Sequence, residues 1–349
     1  MNSFGQKYRI SLFGASHTPV LGVEIEGCPA GICLDELLFE PDLSRRRGGA
    51  PGTTRRVERD IPHIEHGFKG GVTTGETIRI VFENREIKPD DYKPFLTHPR
   101  PSHADWVAQQ KYGNSTTQLY GNTVEEHHYH PPTGGGIFSG RLTLPLTAAG
   151  VVAKRLLQKR HPNLHIEAKL IEVGGCGIKM DAWEKAIVEA QEAGDSLGGV
   201  IECCATGVPV GWGEPFFNSI ESCISHLAFS IPGIKGIEFG SGFDAANMYG
   251  SEHNDCYIDA QGHTATNHAG GINGGISNGN PLIFRVAVKP TPSISRPQES
   301  FDFALRRMAT LSIQGRHDVC FALRLPVVVE AITAIVLADY LLINQSKTK

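Results

Sequence analysis

Apolar positions divide the chain into short alternating runs and a few longer periodic ones. Thr77–Phe82 (TIRIVF), Val200–Thr206 and Leu282–Val288 (LIFRVAV) alternate and are rich in β-branched residues, the pattern of half-buried strands. Leu146–Lys159, Ile220–Phe229 and Val327–Leu342 repeat apolar residues at helical spacing, and Pro145 falls where a first helical turn tolerates proline. Asp181 and Glu184 have capping-box spacing ahead of a predicted helix over Trp183–Ala193, and Gly194 supplies its stop. The longest apolar run, Pro326 to Ile343, carries Glu330 and Asp339, which predicts a buried helix rather than a membrane span.

Glycine punctuates these elements in clusters: GGAPG (48–52), GGG (134–136), GG (198–199) and GGINGG (270–275). One motif occurs twice. VEIEGCPAGI (23–32) is a strand ending in Gly-x-Pro-x-Gly, and IECCATGVPVGWG (201–213) repeats that ending at Gly207, Pro209 and Gly211. A predicted helix follows each copy, which points to a duplicated α+β architecture. No linker-like stretch separates the halves. The expectation is one domain over 1–349, with an internal pseudo-repeat of about 1–170 and 180–349.

Composition narrows the function. A formal charge of -4 argues against a general nucleic-acid binder. The eight cysteines form no CxxC pair and the first residues, MNSFGQKYRI, hold no apolar signal segment, so reduced thiols and a cytoplasmic location are expected.

The candidate chemistry is mostly anion binding. Arg45, Arg46, Arg47, Arg55 and Arg56 flank GGAPG. Such a run is either a solvated loop or a site where guanidinium forks and glycine N–H groups converge on phosphate or carboxylate. The flanking glycines favour a site. GGG (134–136) leads through Ser139 and Arg141 into a helix, a second anion-suited turn. His17, His103 and His317 each follow turn-forming residues, with Asp318 beside the last, and histidine's pKa suits proton transfer near neutrality. His127, His128 and His130 invite a metal reading, but they lack ligand-type spacing, and EEHHYHPPT reads as a surface excursion. No metal is expected.

In order and spacing these segments resemble the chorismate synthase family from Phe4 to about Leu342. Phe13-Gly14-Ala15-Ser16-His17 is similar to its F-G-E-S-H, and Arg45 to Arg47, Thr53-Thr54 and Glu58 to its R-R-R-P-G region. Arg100 to Asp105 (RPSHAD) resembles R-P-G-H-A-D, and Lys289 to Ile294 (KPTPSI) resembles K-P-T-S-S-I. Asn267 to Ile272, Gly274-Gly275-Ile276-Ser277, Gly315 to Asp318, and Arg324 to Glu330 continue the likeness.

The resemblance implies an α+β sandwich with helices between antiparallel sheets, assembled as a homotetramer. It also implies a 1,4-elimination of phosphate from 5-enolpyruvylshikimate 3-phosphate that requires reduced FMN, with no nucleic-acid or membrane partner. By motif, His17 would protonate the departing phosphate, His103 would act as an acid towards the flavin, and Asp318 would assist in taking the ring proton. Ser16, Arg46, Arg141 and Arg324 would hold substrate anions. Ser139, Gly274, Lys289, Pro290, Thr291, Pro292, Ser293 and Arg316 would line the FMN. The chain departs from the family pattern at Ala15, Thr18, Ile137, Phe138, Gly140, Leu142 and Pro232-Gly233, and about a dozen extra residues lie around 116–133. A ligand-binding relative without turnover, one acting on another phosphorylated cyclic acid, and a hydrolase using the histidine insert are the competing readings.

Overall fold

A computed structural model describes residues 2–54, 58–85, 94–112, 117–118, 127–128, 135–315 and 317–347. Two antiparallel sheets carry the molecule. In the first, Arg9–Gly14 pairs with Val20–Glu26, which pairs with Ile78–Glu83, and His63–His66 closes the far edge. In the second, His165–Val173 pairs with Gly199–Thr206, then Leu282–Val288, then Ile234–Phe239. Both sheets alternate as the sequence does. In Gly199–Thr206 every second residue is buried, and Ile201, Cys203 and Ala205 face the core.

Helices fill the space between the sheets. Thr143–Arg160 packs on Val20–Glu26 and Ile78–Glu83, and Pro326–Lys347 packs on His165–Val173 and Gly199–Thr206. The two helices then pack on each other at Gly150, where a Cβ would lie 2.3 Å from that of Ala331. Pro326–Gln345 is long and apolar enough to cross a membrane, yet 83% of that stretch is buried inside the molecule. Its two acids are both partnered. Glu330 accepts from Arg45 and Lys154, while Asp339 accepts the backbone N–H groups of Gln6, Lys7 and Tyr8.

The repeated glycine motif folds alike in both places. Gly31 N–H donates to Thr73 O and Gly211 N–H to Ser277 O, at 2.8 and 2.9 Å. The Thr73 and Ser277 hydroxyls donate to Pro29 O and Pro209 O, both at 2.6 Å. These hydroxyls also accept from Ile32 N and Trp212 N.

One expected cap is absent. A further helix runs Met180–Glu192, and Lys179 stands at its N-cap with no side-chain bond. Asp181 lies inside the first turn, where its charge is favourable to the helix dipole but does not cap the start. Gly194 does supply the stop, at φ +65°. Arg55, Arg56, Gly134, His130 and Arg316 lie outside the described residues, as does most of 116–133.

Candidate active site

A cavity of about 650 Å³ opens where the loops before and after the central helices meet. One wall is an ion network. Arg46 is 2% exposed, and its Nη2 donates to Asp60 Oδ2 at 2.7 Å. Arg141 donates to Asp60 Oδ1 and to Glu58 Oε2, and its Nε donates to Asn84 Oδ1 at 3.1 Å. Burial raises the Asp60 carboxyl, but Arg46 and Arg141 outweigh it and hold it below the usual carboxylate range. Burial, reinforced by Arg324 and Arg141, pulls Arg46 down to about 10, which still leaves it charged at neutral pH. Arg324 completes this wall, with Nε donating to Arg46 O and Nη1 reaching both oxygens of Asp318. Asp318 is fixed from the other side by Thr54 N–H at 2.8 Å.

The facing wall carries the histidines. His103 Nδ1 lies 2.7 Å from Asp105 Oδ1, and Arg100 grips the same carboxylate through Nε and Nη2. Although burial opposes it, Arg100 and His103 hold Asp105 well below the usual carboxylate range. Asp105 is therefore an acceptor, so the His103 Nδ1 proton points at it and Nε2 is left for the cavity. Burial and the Arg100 charge depress the His103 pKa against the pull of Asp105. Once protonated, this ring gives its proton up readily. Lys289 donates from Nζ to Ser102 O at 2.6 Å, and Ser102 takes φ +57°, a strained value for a non-glycine residue beside the site. Arg100 Nη1 also holds Ser293 Oγ.

The cavity therefore offers fixed cations for several anionic groups, together with one oriented, weakly basic imidazole. Comparison with known proteins gives the family. The chorismate synthase family model matches residues 8–342. This chain belongs to the chorismate synthase family. A chorismate synthase of Chitinophaga pinensis is 50% identical over 349 residues, covering 100% of this chain and 99% of that one. One from Korarchaeum cryptofilum is 40% identical over 97% of each chain. A crystal structure of chorismate synthase superposes with a TM-score of 0.72 at 26% identity, covering 98% of this chain and 93% of the other.

Of the residues that the family resemblance singled out, the cavity gathers His103, Asp318, Arg46, Arg141, Arg324, Ser139 and Lys289 to Ser293. Ser139 uses its hydroxyl to cap the turn at Arg141 N. Ser16 and His17 are not in the lining. Their loop is tied to it instead, since Ser16 N–H donates to Gly136 O and Asn84 Nδ2 bridges Ala15 O and Thr18 O. The Thr18 hydroxyl accepts from Ala15 N and bonds Val20 O, which closes the turn where the family pattern has glycine. Gly274 sits at φ +60° in the turn between Ile272–Asn273 and Ile276–Ser277, away from the cavity lining.

Sequence reasoning passed over Asp60 and Asn84. Asp60 lies two residues after Glu58 in a segment dense with arginine, a signal that the arginines need counter-ions. Asn84 gave none, because its role depends on two loops meeting in space.

The residues present suit a bound flavin. Ile137, Phe138, Phe229, Pro232 and Phe321 give the cavity an apolar side. On its other side two buried polar atoms, His317 Nε2 and Thr291 Oγ1, have no partner among the described residues. A planar heteroaromatic ring with a polar edge and an anionic tail matches that mixture.

Proposed function

We propose that this protein eliminates phosphate from 5-enolpyruvylshikimate 3-phosphate to give chorismate, with reduced FMN bound in the same cavity. It would be a carbon–oxygen lyase acting on phosphate. The observation that carries the reading is the cationic cavity built around Arg46, Arg141 and Arg324 in a chain 50% identical over its full length to a chorismate synthase. A substrate with one phosphate and two carboxylates needs several fixed cations, and buried guanidiniums provide them without reorganisation.

In this reading Arg46, Arg141, Arg324 and Ser16 orient the anionic groups. His17, whose Nδ1 lies 2.8 Å from Ser16 Oγ, delivers a proton to the departing phosphate. His103 holds a proton at Nε2, with Nδ1 anchored on Asp105. Asp318, immobilised by Arg324 and Thr54, would assist the flavin in taking the ring proton. Lys289 to Ser293, Ser139 and Arg316 hold the cofactor, whereas Gly274, which the resemblance also names, lies away from this lining. Reduced FMN supplies electron density that acid–base groups cannot, and the reaction leaves it unchanged. Cytoplasmic location, a homotetramer and a single domain of two like halves belong to the same proposal. The matched strand order of the two sheets and the twin glycine turns support the last of these.

Anaerobic incubation with reduced FMN and the substrate tests the reading. Phosphate and chorismate absorbance are expected to appear together, and His17→Ala is expected to slow both by about a hundredfold or more, the usual scale for a lost general acid. Binding of substrate without phosphate release would favour the non-catalytic relative instead.

A further inference from the structure

Asn84 sits where the cavity wall meets the turn that carries His17. It follows the strand Ile78–Glu83, is 7% exposed, and donates its backbone N–H to Pro19 O at 2.9 Å. Its side chain serves two partners. Oδ1 accepts from Arg141 Nε at 3.1 Å, while Nδ2 donates to Thr18 O at 2.7 Å and to Ala15 O at 3.1 Å. Arg141 can only donate and the two carbonyls can only accept, so the amide fits in one orientation. Turned over, it would set donor against donor and oxygen against oxygen. An aspartate there would keep the first bond and lose the other two.

The two carbonyls belong to the ends of the turn, and Ser16 and His17 lie between them. The shape of the turn does not depend on Asn84. The Thr18 hydroxyl already closes it, accepting from Ala15 N at 2.8 Å and reaching Val20 O at 2.7 Å. What Asn84 adds is placement. His17 is not part of the cavity lining, so its reach to an anion held there is set by where its turn sits. Ser16 N–H fixes one side of that turn to Gly136 O. Asn84 fixes the other side to the Arg141 guanidinium, whose Nη atoms are held by Asp60 and Glu58.

We propose that Asn84 is a positioning residue for the elimination, holding the His17 turn in register with the anion bound by Arg141. It rests on the reading given above, in which Arg141 orients an anionic group and His17 gives the departing phosphate its proton. Asn84 is itself outside the lining, so it acts through His17 rather than on the substrate. Asp60 and Glu58 keep the Arg141 guanidinium in place without it. Substrate binding and turnover should therefore respond differently to its loss.

The test is a double-mutant cycle on Asn84 and His17 with reduced FMN and 5-enolpyruvylshikimate 3-phosphate. Calorimetry of substrate binding, with the flavin left oxidised so that nothing turns over, accompanies it. Asn84→Ala is expected to lower kcat about ten- to a hundredfold, the scale of a reacting group displaced by about 1 Å. Substrate affinity should stay close to that of the wild type. In a His17→Ala background the same change should cost no more than about twofold, because residues that act as one unit do not add. Asn84→Asp keeps the shape and the Arg141 bond but offers the turn no donor, so it should be as slow as the alanine variant. It carries the cycle if the alanine variant does not fold. Equal losses in both backgrounds, a loss of affinity at unchanged kcat, or wild-type kcat in Asn84→Asp would each overturn the assignment. A wild-type protein that does not turn over, or one indifferent to His17→Ala, would instead overturn the reading of the cavity, and this assignment with it.

Discussion

Asp60, its side chain 1% exposed, accepts from Arg46 through one carboxylate oxygen and from Arg141 through the other. It does so at φ +51°, a left-handed conformation that asparagine shares more readily than other residues. Asp60→Asn therefore keeps the backbone and removes only the charge between two buried guanidiniums. Breaking such a pair costs about 3–5 kcal/mol, because the partners stay buried and uncompensated. Urea unfolding at pH 7 is expected to show a loss of that size. The pH dependence follows from the sign of the shift. The folded carboxyl titrates below the unfolded one, so its contribution is complete above the unfolded value and is lost as the pH falls through the folded one. The gap between wild type and variant should thus begin to narrow below about pH 4 and go on narrowing as the pH falls through the folded value. An equal gap at pH 7 and pH 3 would mean that charge is not what Asp60 contributes. At this scale the sequence marks the arginines and histidines by residue type and neighbours. Asp60, Asn84 and the tautomer of His103 depend on contacts that only the folded chain makes.

The central helices show what pattern does and does not predict for an element. Periodicity places them at Leu146–Lys159 and Val327–Leu342, and they run Thr143–Arg160 and Pro326–Lys347. Leu282–Val288 is a strand over the span that alternation predicts. The capping box at Asp181 fails because the chain enters that helix through a tight turn, Lys179 N–H to Gly177 O at 2.6 Å, which moves the start ahead of the acid. Which strand lies beside which is not written locally, since Gly199–Thr206 and Leu282–Val288 are neighbours across about eighty residues. Helix contact makes its own demand at Gly150. Alanine there gains about 1 kcal/mol of helix propensity. Its Cβ would also lie 2.5 Å from Ala331 Cα, a backbone atom that cannot swing aside, and overpacking of this kind costs about 1–3 kcal/mol. Gly150→Ala should therefore lower the melting temperature despite the better propensity. A rise would show that the helices part at little cost.

On the scale of the whole molecule, the cavity is assembled from both ends of the chain. Arg324 donates to the carbonyl of Arg46, Thr54 donates to Asp318, and Arg45 pairs with Glu330. Far from the cavity, Asp339 on the last helix collects three N–H groups from residues 6–8. Chains of 349 residues commonly unfold in steps, domain by domain. Here neither sheet can open without uncovering the helix that the other needs, and neither half holds a complete set of cavity cations. The slowest-exchanging amides of Ile78–Glu83 and Gly199–Thr206, one in each sheet, are therefore expected to report the same opening free energy. A ligand that needs both ends of the chain should then raise the two together. 5-Enolpyruvylshikimate 3-phosphate at a hundred times its dissociation constant should add about 2.7 kcal/mol to each. If protection rose in one sheet while the other stayed at its ligand-free value, the halves would be separable folding units. The bonds between Arg46, Arg324, Thr54 and Asp318 would then be contacts between them rather than the frame of a single site.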